Sequence, residues 1–130
     1  MAVELQQVLY AVVLALAYLV VFATVANLEL GTGYTAGPRD EPPRGLSTSC
    51  ARLKRAYENH IETLPWFIGA MLAVHLAGKV DDVTLLAGWT YLSARVLYLP
   101  AYYVGVPWLR SIIWGIASTA IFVIVFRALI

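Results

Sequence analysis

The chain has 130 residues, of which 61% are hydrophobic and 13% charged. A soluble domain averages about 45–50% apolar and about 25% charged residues, so the composition excludes an ordinary water-soluble fold and points to a bilayer. The net charge of +1 gives no reason to expect a nucleic-acid partner. A single cysteine, Cys50, excludes an internal disulfide, and no His or Cys stands beside it in ligand spacing, so no metal site is expected.

Four membrane-spanning helices are expected, at about 3–28, 52–78, 82–104 and 108–129. Together they form one all-α domain over residues 1–130. Leu5 to Leu28 carry no charge, enough to cross a hydrocarbon core that needs about 20 residues. No Lys or Arg precedes Arg39, and the apolar run exceeds the about 7–15 residues of a signal-peptide core, so this segment reads as a retained helix. A loop is expected over about 29–51, because GTGYTAGPRDEPPRG is dense in Gly and Pro. GTGYTAG follows no strand and is not a nucleotide-binding turn.

The second helix is uncharged only from Thr63 to Gly78, and becomes long enough to span if it starts near Arg52. The third is apolar apart from Arg95, and the fourth is uncharged from Ser111 to Phe126. GKVDD and GVP form the tight connections. Pro65 and Pro100 are expected to kink their helices, since each removes a backbone hydrogen bond. Trp66, Trp89, Trp108 and Trp114 are expected as packing groups or interfacial anchors.

Basic residues set the orientation. Arg39, Arg44, Arg52, Lys54 and Arg55 cluster in and after the first loop, and Arg110 follows the third connection. The other side holds only Lys79 and Arg127. The first and third connections are therefore expected in the cytoplasm and both termini outside.

Arg52, Arg55, Asn59 and Glu62 fall at i, i+3, i+7 and i+10, one face of a helix. Arg95, Tyr98 and Tyr102 repeat the device at i, i+3 and i+7 on the next helix, at similar depth. Two readings stay open on the residues alone. The polar groups hold helices together, with Glu62 paired to Arg95 and Arg55 reaching the headgroups. Alternatively they line a polar pocket. A charge at mid-span costs about 2.5–3.5 kcal/mol even on a lenient scale, and apolar packing would hold the bundle without it. Arginines at such a site suit carboxylates, through forked hydrogen bonds. His60 lies off this face and is expected at lipid headgroups, and His75 is expected to pack between helices.

Arg55, Asn59 and Glu62 (R-x-x-x-N-x-x-E), Arg95, Tyr98 and Tyr102 (R-x-x-Y-x-x-x-Y) and then Arg110-Ser111 resemble the MAPEG family. These are membrane-associated proteins of eicosanoid and glutathione metabolism. The resemblance covers the whole chain. It implies a homotrimer among membrane lipids, with glutathione as co-substrate between subunits and a lipophilic small molecule as the second substrate. It implies that Arg55, Asn59, Glu62, Arg95, Tyr98 and Tyr102 bind glutathione, and that Arg110 and Ser111 face its thiol as catalytic residues. A cation there would stabilise the thiolate nucleophile. The chain departs from glutathione-using members in ANLELG (26–31), which lacks a basic residue, in Glu58, and in Trp114, which replaces an aromatic hydroxyl.

The leading expectation is an integral-membrane glutathione transferase or peroxidase acting on lipophilic electrophiles. A non-catalytic lipid- or ligand-binding protein of the same fold is the alternative. A small multidrug exporter is disfavoured, because the first helix has only Glu4, at its extreme start, as a proton-binding carboxylate.

Overall fold

The computed structural model describes residues 1–41 and 45–130, so Arg44 lies outside the described residues. Described residues form helices and loops only: α1 (Val3–Leu30), a single turn α2 (Thr32–Thr35), α3 (Thr48–Leu76), α4 (Asp82–Val104) and α5 (Leu109–Leu129). α3 starts at Thr48 rather than near Arg52 because Ser47 caps it, its hydroxyl accepting from the Cys50 N–H at 3.1 Å. Glu29 in turn accepts from the Ser47 amide at 3.0 Å and from its hydroxyl, so the end of α1 holds the start of α3. α4 opens on a capping box between Asp81 and Thr84 and closes at Gly105, which takes a φ of 73°. α3 passes through Pro65 and α4 through Pro100, each as one helix.

α3 and α4 occupy the middle. Both touch α1 and α5, whereas α1 and α5 do not touch each other. The contacts are made largely by small residues: Ala11, Ala56, Ala70, Ala87, Ala117 and Ala120 are buried. Small side chains let helix backbones approach, which is how packing is gained where lipid offers no hydrophobic contrast. The approach is tightest at Gly88, where an added Cβ would fall 2.2 Å from Gln7 Oε1 and 2.5 Å from Met71 Cε. Between the alanines sits a layer of Phe67, Met71, Val74, Tyr91 and Ile124.

The outside is apolar. Val13, Val20, Leu86 and Phe122 are each at least 60% exposed, a surface that water does not tolerate over such an extent. By length and composition α1 and α5 can cross a membrane, with mean hydropathy 2.6 and 2.1. α3 and α4 fall short because they carry the charged and tyrosine-rich stripes.

A hydrogen bond and an ion pair tie the end away from those stripes. His75 Nδ1 lies 2.8 Å from Glu4 Oε1, giving the expected packing histidine a carboxylate partner from α1. Arg127 pairs with Asp81, anchoring the end of α5 to the start of α4. The Thr84 backbone N–H, and then Arg127, hold the Asp81 carboxyl below its ordinary range. A depressed carboxyl contributes stability that is complete above its unfolded pKa of about 3.9 and lost as pH falls through the folded value. Melting temperature is therefore expected to drop more steeply from pH 6 to pH 3 in the native protein than in Asp81→Asn. Parallel curves would show that the pair adds nothing.

Candidate functional site

The α3 face predicted from spacing turns toward α4 and α5. Arg55, Glu58, Asn59 and Glu62 from α3, Tyr98 and Tyr102 from α4, and Arg110, Ser111 and Trp114 from α5 surround an open pocket of about 600 Å³. A second hollow of about 490 Å³ shares Arg55, Tyr102, Arg110 and Ser111 and continues to Arg52, Gly105 and Trp108. Seven of the eight expected site residues thus stand around one space. Glu58 and Trp114, noticed in the sequence only as departures, complete its wall.

Tyr102 is the hinge of the cation arrangement. The Arg110 guanidinium carbon lies 5.0 Å from its ring centroid and that of Arg55 5.7 Å. Each such contact is worth about 0.5–1 kcal/mol when exposed, and more when dry. Tyr98 meets Tyr102 edge-on at 5.7 Å. The two guanidiniums are therefore held beside one ring, and no hydrogen bond among the described residues uses their N–H groups. Arg52 donates to the Tyr103 carbonyl at 2.8 Å and lies against Gly105, so it fastens the α4–α5 connection. The backbone at Trp108, the N-cap of α5, is left-handed with φ 70° and offers no side-chain cap, which leaves the first amides of α5 unclaimed by a cap.

Arg95 differs from expectation. It does not line the pocket; it is 0% exposed and lies behind the wall. Its Nη1 donates to Asn59 Oδ1 at 2.8 Å, and its guanidinium carbon sits 5.5 Å from the Tyr91 ring and 5.3 Å from Tyr98. A Glu62–Arg95 ion pair is absent among the described residues, where the ion pairs are Lys54–Glu58 and Asp81–Arg127. The spacing rule gave the direction of Arg95 correctly. Its distance along the helix carries it into the aromatic layer, where Asn59 offers an acceptor and two rings offer their faces.

His60 also departs from expectation. It is fully buried, with Nε2 donating to the Ala11 carbonyl at 3.3 Å and its ring stacked on Tyr18 at 5.3 Å. Its turn away from the pocket face points it at α1 and not at lipid. Tyr18, which the sequence did not single out, donates to the Arg95 carbonyl at 2.7 Å and so ties α1 to the helix that carries the arginine.

An all-helical protein with an apolar exterior and a polar pocket between α3, α4 and α5 has the build of a membrane protein. The chain matches the MAPEG family over residues 7–130 and belongs to it. Membership sets the protein generally within membrane-bound glutathione or eicosanoid metabolism. A search among curated proteins finds none that matches the chain.

Proposed function

We propose that this protein is a membrane glutathione transferase or peroxidase for lipophilic electrophiles. The observation that carries the reading is the convergence of Arg55, Arg110, Asn59, Glu58 and Glu62 on one open pocket. Glutathione has two carboxylates, one ammonium and a thiol. The arginines and the asparagine amide match the carboxylates, and the two glutamates match the ammonium. Arg110, helped by the N-terminus of α5, favours the charged form of the thiol, whose proton leaves to solvent. The thiolate sulfur then attacks an electrophilic carbon, the C–S bond forms, and the leaving group departs with its electron pair. Ser111 can donate a hydrogen bond to the sulfur.

In this reading all four long helices cross the bilayer, with α3 and α4 shielded by α1 and α5. The exposed polar stripe of α3 is covered by neighbouring subunits of a homotrimer, because lipid cannot satisfy Glu62 and Arg55. Native mass spectrometry in mild detergent should give the mass of three chains; monomer alone would remove the intersubunit cover. The pocket opens to the cytoplasm. A cysteine at position 40, in a Cys50→Ala background, should resist an impermeant reagent added to intact cells. Rapid labelling from outside would reverse the topology.

The functional test is equilibrium binding of glutathione to purified protein at neutral pH, read with the ultraviolet thiolate difference band. Binding with a band supports the enzyme. Binding without a band favours a non-catalytic ligand-binding role, and no binding overturns the assignment.

A further inference from the structure

We propose that Arg95 acts on this pocket through Asn59 as a positioning residue, fixing the asparagine amide so that the wall offers a hydrogen-bond donor backed by an uncompensated buried cation. The inference rests on the functional reading above and names what its site selects at that wall: a carboxylate or peptide carbonyl, never an ammonium.

Arginine has donors and no acceptor, so the Asn59 atom 2.8 Å from Arg95 Nη1 is the oxygen. The amide is thereby turned with its Nδ2 donors at the far end, and no hydrogen bond among the described residues uses them. Asn59 lines the pocket and Arg95 does not. Among the described residues no carboxylate pairs with Arg95, and its Nε and Nη2 have no hydrogen-bond partner although the residue is 0% exposed. A buried cation in that condition is costly, and the rings of Tyr91 and Tyr98 offset only part of the cost. An anionic group docking on Asn59 Nδ2 would supply the missing counter-charge one amide away. Tyr18 of α1, bonded to the Arg95 carbonyl, and Thr63 of α3, bonded to the Tyr91 hydroxyl at 3.0 Å, hold this part of α4 in place.

Two variants separate positioning from mere support. Asn59→Asp is nearly isosteric and gives Arg95 a carboxylate, while removing the donor from the pocket. The ligand-free variant should melt at or above the native temperature, and its Kd for glutathione should rise about tenfold or more, the scale of one charge-assisted hydrogen bond. In Arg95→Met the amide is free to turn, so Kd should rise about tenfold while the thiolate band per bound glutathione is unchanged. A supporting role alone predicts the opposite pattern for Arg95→Met: fewer binding sites, each with the native Kd. That pattern, or native affinity in Asn59→Asp, overturns the inference and leaves the functional reading standing. A native protein that binds no glutathione sinks both.

Discussion

Arg110→Ala is expected to erase the thiolate band of bound glutathione and to lower electrophile turnover about a hundredfold or more, the scale seen when a preorganised charge-stabilising donor is removed. A free thiol has a pKa of about 8.5 and is mostly protonated at neutral pH. Arg110 lies in the first turn of α5, exposed in the pocket, where its cation and the helix N-terminus act on the same spot. It contributes to neither buried cluster, so its removal leaves the fold intact. Glutathione affinity should change much less, because Arg55 and Asn59 remain. Stopped-flow absorbance and a conjugation assay on the same preparation check both halves. A band that survives in the variant would move the role to another cation, with Arg55 the first to test.

The largest loss of stability is expected from Phe67→Ala. Phe67 is fully buried and stacks on Tyr91 at 4.1 Å with an interplanar angle of 10°. Lipid is as apolar as the bundle interior, so the cost comes from lost packing and not from transfer to water. That puts the expected cost near the low end of the range for such truncations, about 3 kcal/mol, and the fall in melting temperature at roughly 10 °C. Phe122→Ala is the control, since Phe122 is 74% exposed on the outer face. Equal shifts for the two variants would show that the Phe67 layer does not carry the stability assigned to it.

The helices and the pocket face were legible because both depend on local periodicity. Arg52, Arg55, Asn59 and Glu62 share a face at any angle the helix adopts in the bundle. What periodicity cannot supply is the partner across the gap. Glu4 and His75 are far apart in sequence, as are Asp81 and Arg127, and neither spacing marks them as pairs. Arg95 shows the same limit in sharper form. Its helical direction was readable, but whether it reached a glutamate, an asparagine or the open pocket depended on a neighbouring helix. His60 follows the same logic: its position off the polar face leaves open whether headgroups or another helix meet it, and α1 covers it. α3 begins about a turn before Arg52 because Ser47 caps it, and Glu29, across the first loop, holds Ser47 in place.

The order of charges along α3 has a directional effect on whatever enters. From the loop end inward the stripe runs Arg52, Arg55, then Glu58 with Asn59, then Glu62, so the charges that α3 itself contributes change sign along it. A field of that form acts as a polarity gate. A ligand with an anion at one end and an ammonium at the other has one favourable heading, anion outward and ammonium inward, and pays the repulsion twice if reversed. The strip thus sorts by molecular dipole as well as by net charge.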